Sequence, residues 1–307
     1  MVFNSILQAI GSTPIIKLDK IKPQGGADIY AKAEFLNAGG SIKSRTAYEM
    51  VIKALKNGEI TSGGGVVEAT SGNQGIGLAM VSSKLGLKCV LVMPDSVSQE
   101  RKKLMELYGA TVVLIEDNND IGKAINECIQ RAKLIAREKK YYFCNQFANQ
   151  NNLLAHYKNT ANEIIKDLGT VDGFCAGIGT GGTLTGIGHR LKELNENTLI
   201  WAIEPEKGAI LSGKKVSSHI QMGIGDGIIP QILNLNVYNK ICLVSDKQAL
   251  FYAKKLAQEE GIACGISSGS NIYGAIKLSK ELGKGKKVLT ILPDGAERYF
   301  STQLFND

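Results

Sequence analysis

Four short segments carry side chains able to do chemistry. Asn37-Ala38-Gly39-Gly40-Ser41-Ile42-Lys43-Ser44-Arg45 is a Gly/Ser turn with a lysine at the start of a helix. On an open surface that lysine is a solvated charge; partly desolvated in a cleft, it has a lowered pKa and condenses with an aldehyde. Gly177-Ile178-Gly179-Thr180-Gly181-Gly182-Thr183-Leu184-Thr185-Gly186 follows an apolar run and opens a helix. Its backbone N–H groups and the helix N-terminus suit a phosphate, with a tight turn or close strand–helix packing as the plainer reading. Glu68-Ala69-Thr70-Ser71-Gly72-Asn73-Gln74-Gly75 repeats the arrangement with two hydroxyls and an amide, more than a bland N-cap needs. Two anion-binding helix starts imply a phosphorylated cofactor and a carboxylate substrate. The fourth segment, Gly265-Ile266-Ser267-Ser268-Gly269-Ser270, reads by itself equally well as routine capping. A serine facing a pyridine nitrogen would not hold it protonated, which favours elimination across Cα–Cβ over transamination.

One competing reading shares a motif. Gly177, Gly179 and Gly182 fit G-x-G-x-x-G, and Glu204 follows 22 positions after Gly182, where a dinucleotide enzyme places its ribose-binding acid. A nicotinamide-dependent dehydrogenase is therefore the rival, although it leaves Lys43 without a task and puts the fingerprint past mid-chain.

The elements that must position these segments are visible as an alternation. Short apolar runs at 66–69, 89–93, 111–115, 173–176, 199–203, 241–244 and 288–292 alternate with amphipathic stretches at 45–56, 75–85, 98–108, 121–139, 152–168, 183–194, 247–260 and 269–282. The pattern predicts an α/β fold, with parallel strands buried on both faces and doubly wound by helices. With no Pro/Ser-rich linker, two lobes would have to be divided by the chain crossing between them. A length of 307 residues at 44% hydrophobic and 21% charged excludes disorder and collagen and suits one large or two modest domains. The net charge of +7 is scattered, as at Lys53, Lys56, Lys133, Lys139 and Lys192, which argues against a nucleic-acid partner. Neither an export signal nor an 18-residue apolar span is present, so the cytoplasm is expected, with no membrane contact. Cys89, Cys128, Cys144, Cys175, Cys242 and Cys264 form no C-x-x-C and read as buried free thiols; His156, His189 and His219 lack zinc spacing, so no metal is expected.

Taken together the segments resemble the cysteine synthase family of pyridoxal-phosphate enzymes, the fold-type II group that also holds cystathionine β-synthase and is similar in fold to tryptophan synthase β. Seven ordered matches carry the resemblance: Ile10-Gly11-Ser12-Thr13-Pro14, the Lys43 segment, Thr70-Ser71-Gly72-Asn73, the 179–183 loop, Glu204-Pro205, Gly265-Ile266-Ser267-Ser268-Gly269, and Pro293-Asp294-Gly295-Ala296-Glu297-Arg298-Tyr299. The resemblance implies Lys43 as Schiff-base lysine and proton shuttle and Asn73 on the ring oxygen of pyridoxal 5'-phosphate. It also implies Gly179, Thr180, Gly181, Gly182 and Thr183 around the phosphate, and Ser267 at the ring nitrogen. Thr70, Ser71 and Gln146, with Gly72 and Gln74 beside them, would hold the substrate carboxylate. A homodimer comes with the analogy, as does a smaller mobile lobe at 45–147 closing over substrate on a larger, phosphate-binding lobe of 1–44 plus 148–307.

The sequence departs from the family pattern at three places. Ala38 and Ser44 replace a proline and an aspartate around Lys43, and Gln74 replaces a threonine. The third is Gly223-Ile224-Gly225-Asp226-Gly227, where a small or aromatic residue is usual at position 226, in a loop expected to face the Cβ substituent. A carboxylate there repels hydrosulfide and acetate. As an acid it suits protonation of sulfur leaving L-cysteine, and as a base it suits activation of water. The expected chemistry is thus β-replacement through an aminoacrylate, releasing hydrogen sulfide from L-cysteine with water or a second thiol as nucleophile. The alternatives are O-acetyl-L-serine sulfhydrylase activity, the dehydrogenase, and a non-catalytic amino-acid sensor that intact Lys43 argues against.

Overall fold

The computed structural model describes residues 2–117, 121–214 and 216–306. Among them ten strands form two sheets. The smaller sheet, ordered β5-β4-β3-β6, is wholly parallel and is built from β3 (Gly65–Ala69), β4 (Lys88–Pro94), β5 (Thr111–Ile115) and β6 (Tyr142–Phe143). Its connections are α2 (Asn73–Leu85), α3 (Gln99–Leu107) and α4 (Ile121–Lys139), and α1 (Lys43–Lys56) precedes it. The larger sheet is ordered β1-β2-β10-β7-β8-β9. It takes β1 (Ile15–Leu18) and β2 (Asp28–Ala33) from the start of the chain. The remainder, β7 (Gly173–Gly177), β8 (Leu199–Pro205), β9 (Lys240–Val244) and β10 (Lys287–Leu292), come from the second half. The helices of that half are α5 (Gln150–Ala155), α6 (Ala161–Leu168), α7 (Gly182–Leu194), α8 (Asp246–Glu260) and α9 (Ile266–Leu282).

Burial on both faces explains the near-continuous apolar runs. In β7, Phe174 and Ala176 pack with Ile187 and Leu191 of α7 on one face, while Cys175 between them packs with Ile272 and Ala275 of α9 on the other. In β3 the same alternation sends Val66 toward α1 and α2, and Val67 toward Cys128 and Ala132 of α4.

All seven expected strands are present. Three more escaped the pattern: β6 has two residues, β1 runs antiparallel at the sheet edge, and β2 carries Lys32, a wholly buried lysine. The expected helix at 152–168 is not continuous, because a π-helical turn, His156–Thr160, separates α5 from α6. Six helices start earlier than their apolar spacing suggested, among them α1, α2 and α9. Lys43 and Asn73 are the first residues of α1 and α2, and Ser267 lies inside the first turn of α9.

Buried charge fixes the start of α1. Arg45 is paired with Glu34 (2.8 and 2.9 Å) and Glu163 (2.6 and 2.7 Å), and Lys32 reaches Glu163 at 2.9 Å and the Thr13 carbonyl at 2.6 Å. Burial works against the Glu163 charge, yet the Arg45 and Lys32 contacts outweigh it and hold its pKa at about 2. Two residues from Lys43, this cluster ties α1 to β2 and α6.

α9 and α8 approach closely at Gly269, where an added Cβ would lie 1.9 Å from the Ala249 carbonyl oxygen of α8. Gly269→Ala is expected to force α8 and α9 apart and lower the unfolding free energy by about 2 kcal/mol or more, read as the denaturant midpoint. An unchanged midpoint would mean that the two helices part freely.

Candidate active site

Four helix starts open on one cleft. Its wall includes Lys43 from α1, Asn73 and Gln74 from α2, Thr183 from α7 and Ser267 from α9. Thr70, Ser71, Gln146, Gly179, Thr180, Gly181 and Asp226 complete the set of expected residues found on it. Gly72 and Gly182 are the exceptions. Gly72 (φ +143°) makes the turn before Asn73 and faces Arg101, and Gly182 faces Asn152, whose Oδ1 would lie 2.3 Å from an added Cβ. Both shape the wall from behind because neither position has room for a side chain.

Lys43 is half-buried, and burial lowers its pKa from the usual lysine value; the carboxylates of Asp226 and Asp294 pull the other way. Asp226 shows the reverse balance. Burial raises its pKa, opposed by His219, Lys43 and Arg101. The turn carrying Asp226 is held by His219, which donates from Nε2 to the Gly225 carbonyl (3.0 Å) and accepts from the Gln221 N–H at Nδ1 (3.2 Å).

The 179–183 loop has an anion-binding form. Gly181 adopts φ +80° as the N-cap of α7, and no side chain of that cap satisfies the first-turn N–H groups. The Thr180 hydroxyl is fixed by Asn152 (3.0 Å), and the Thr183 hydroxyl lies 3.3 Å from His156 Nε2, whose other nitrogen meets Thr160 Oγ1 at 3.0 Å. His156 is wholly buried. Burial first, then the charges of Lys43 and Arg45, push its pKa well below the ordinary histidine value, so it supports the loop as a neutral ring. Asn271 anchors the approach to the loop by accepting from Gly177 N at 2.7 Å.

At the start of α2, Thr70 Oγ1 accepts from the N–H groups of Gly72 (2.9 Å) and Gly75 (3.2 Å), which leaves its own proton available. Gln146 Nε2 donates to the Ala69 carbonyl (2.7 Å), and its backbone N–H donates to Glu68 (3.0 Å). Gln74 Oε1 accepts from Thr46 (2.6 Å), while its buried Nε2 has no partner and is free to donate to a bound carboxylate.

Arg101, Asn152, His156, Asn271 and Asp294 join this site without having been singled out in the sequence. Testing the histidines for zinc spacing missed His156, because its partner Thr183 is 27 residues away. Among the described residues no cluster fit to hold a metal is found. Glu204 is turned away from the cleft: it accepts from Leu211 N and Ser212 Oγ, both at 2.9 Å, and so pins its own loop. Glu204, the acid on which the dehydrogenase reading relies, is thus taken up by its own loop.

A cleft combining an amine of lowered pKa with two helix starts open to anions suits a fold-type II enzyme that works with an aldehyde cofactor. The chain belongs to the family of pyridoxal-phosphate dependent enzymes, whose pattern matches residues 6–294. Within that family it is of the cysteine synthase type. It is 44% identical over 305 residues to a cysteine synthase of Staphylococcus aureus, covering 99% of this chain and 97% of that one. Its fold matches an O-ureido-L-serine synthase with a TM-score of 0.94 at 36% identity (100% and 96% of the two chains). A hydrogen sulfide-producing enzyme of Fusobacterium nucleatum matches with a TM-score of 0.92 at 37% identity (97% and 100%). The cofactor is pyridoxal phosphate, and the residues present fit it: the uncapped start of α7 offers N–H groups to the phosphate, and Lys43 offers an amine to the aldehyde.

The opposing influences on Lys43 make a pH prediction. Burial destabilises the ammonium, so the free amine appears at lower pH than in an ordinary lysine; Asp226 stabilises the ammonium, so Asp226→Asn lowers that pH further. Reductive methylation of cofactor-free protein, followed at Lys43 by peptide mass spectrometry across pH, reads the midpoint. An unmoved midpoint in the variant would remove Asp226 from the field acting on Lys43.

Proposed function

We propose that the chain catalyses β-replacement on L-cysteine, releasing hydrogen sulfide and forming L-serine with water, or a thioether with a second thiol. One observation carries the reading. The Asp226 carboxyl, its pKa raised by burial, lines the same cleft as Lys43 in the turn between Gly223 and Gly227. Pyridoxal phosphate, when bound, supplies an aldehyde that links to amines and a ring that accepts electrons from the Cα of a linked amino acid. Lys43 holds the aldehyde through its amine and, once released, takes the proton from Cα and later returns it. Its lowered pKa favours the unprotonated form this step needs. The Thr70 and Ser71 hydroxyls, with Gln146 and Gln74 Nε2, hold the substrate carboxylate. Asn73 faces the ring oxygen, Ser267 the ring nitrogen, and the 179–183 loop the phosphate. Asp226 gives its proton to the departing sulfur and then takes one from the attacking water or thiol.

O-acetylserine sulfhydrylase activity is a second reading, favoured by the 44% identity to a cysteine synthase over nearly the whole chain. The Asp226 charge disfavours it, since hydrosulfide and acetate are both anions. We also propose that segment 45–147 moves as a lobe that shuts the cleft, and that the enzyme works as a cytoplasmic homodimer. Its six free thiols accord with a reducing compartment.

Purified holoenzyme given L-cysteine alone is expected to release sulfide and form serine faster than it makes cysteine from O-acetylserine plus sulfide. Loss of the acid and base in Asp226→Asn should slow sulfide release by about a hundredfold or more. Equal product formation by wild type and variant would end the proposed role of Asp226. Faster cysteine synthesis in the wild type would favour the second reading.

A further inference from the structure

Behind the cleft wall lies a buried polar cluster that the proposed chemistry does not use. Asp294, wholly buried at the end of β10, accepts at one oxygen, Oδ2, from Asn73 Nδ2 (2.6 Å), Tyr299 OH (2.8 Å) and Arg101 Nη2 (3.4 Å). The other end of the Asn73 amide accepts from Arg298 Nη1 at 2.5 Å. Arg298 also donates to the Gly39 carbonyl in the turn before Lys43 and is buried to 2% exposure. Asp294 and Arg298 are not on the cleft wall, whereas Asn73 is.

These contacts determine which way the Asn73 amide points. A carboxylate only accepts and a guanidinium only donates. Flipping the amide would set its oxygen against Asp294 and its NH₂ against Arg298, losing both charge-assisted bonds and leaving buried groups unpaired. The amide is thus locked with Nδ2 toward Asp294, one of its two protons used there. The second is left to donate into the cleft. A donor fixed in that way favours an ionised acceptor, such as a phenolic oxygen, over a protonated one.

We infer that Asp294 and Arg298 are positioning residues that lock the Asn73 amide as a hydrogen-bond donor to the ring oxygen of pyridoxal phosphate. The inference rests on the proposed placement of Asn73 against that oxygen. Three further contacts hold the two residues in register with the wall. Arg101 donates to the Tyr299 hydroxyl (2.7 Å) and lies over its ring, 4.9 Å from the centroid. Ser98 Oγ donates to the Arg298 carbonyl (2.9 Å), and Ser301 donates to Glu100 from its backbone N–H (3.0 Å) and its hydroxyl (2.8 Å). The turn at 296–302 is stapled in this way to the N-terminal end of α3, whose Arg101 also donates to the Ser71 carbonyl (3.2 Å), two residues before Asn73.

The test is a double-mutant cycle on the holoenzyme, using wild type, Asn73→Ala, Asp294→Asn and the double variant. Each is dialysed to equilibrium against graded pyridoxal phosphate, and cofactor affinity and the yellow fraction of the bound cofactor are read from the absorption spectrum. Each single variant is expected to weaken binding about tenfold and to lower the yellow fraction at fixed pH, because a ring oxygen without its donor protonates more readily. If Asp294 acts through Asn73, the double variant is no worse than Asn73→Ala. Losses that multiply to about a hundredfold, or an unchanged spectrum in Asp294→Asn, would overturn the inference. An Asn73→Ala enzyme indistinguishable from wild type would instead overturn the placement of Asn73 and the inference with it. Should Asp294→Asn fail to fold, Arg298→Gln removes the opposite anchor and is held to the same non-additivity with Asn73→Ala.

Discussion

Convergence of positive ends is the constraint on which the rest of the structure depends. α1, α2, α7 and α9 begin at the cleft, and the residue at each N-cap supplies no side-chain hydrogen bond to the first turn. Each helix start carries partial positive charge, worth about 0.3–1 kcal/mol to a nearby anion and more when partly buried. Arg101 adds a full charge on the same wall, where Lys43 contributes an amine of lowered pKa. An assembly of this sign is satisfied by phosphate and carboxylate ligands, and the protein itself contributes Asp226 and Asp294 to offset part of it. The anionic groups of cofactor and substrate thus complete an arrangement that the backbone leaves unfinished.

Close backbone approach is the means by which the loops meet. At Gly179 an added Cβ would lie 2.3 Å from the Gly223 carbonyl oxygen, so the 179–183 loop and the Asp226 turn touch main chain to main chain. The Ile178 carbonyl accepts from Gly225 N at 2.9 Å, which fixes the distance between that loop and the Asp226 carboxyl. A single missing side chain therefore couples the 179–183 loop to the position of Asp226.

The sequence made the chemistry legible where reactive types cluster within ten residues, as at Lys43, Thr70 to Gln74 and the Gly/Thr loop. The strands buried on both faces were equally plain. What stayed hidden depends on partners far apart in the chain. Arg101 meets Asp294 across 193 positions, and Arg45 meets Glu163 across 118, so no local spacing announces either pair. β2 was missed because Lys32 and Asp28 interrupt its apolar character; the Lys32 ammonium is buried only because Glu163 and the Thr13 carbonyl are there to receive it. The π-helical turn at 156–160 interrupts what reads as one amphipathic run, since one unit of extra backbone leaves little trace in side-chain type. Where Gly72 and Gly182 belong to a motif, only the packing of Arg101 and Asn152 against them distinguishes a residue that lines the cleft from one that lets others line it.

The insertion of β10 between β2 and β7 has a consequence for biosynthesis. β3 to β6 are contiguous in the chain and can pair as soon as residue 143 has emerged from the ribosome. β2, by contrast, is exposed along one edge until residues 287–292 arrive, a wait of tens of seconds at ordinary elongation rates. During that interval its open edge is a template for mispairing with any other nascent strand. Lys32 and Asp28 on β2 set charges along that edge, which suits them to guarding it until the last strand closes the sheet.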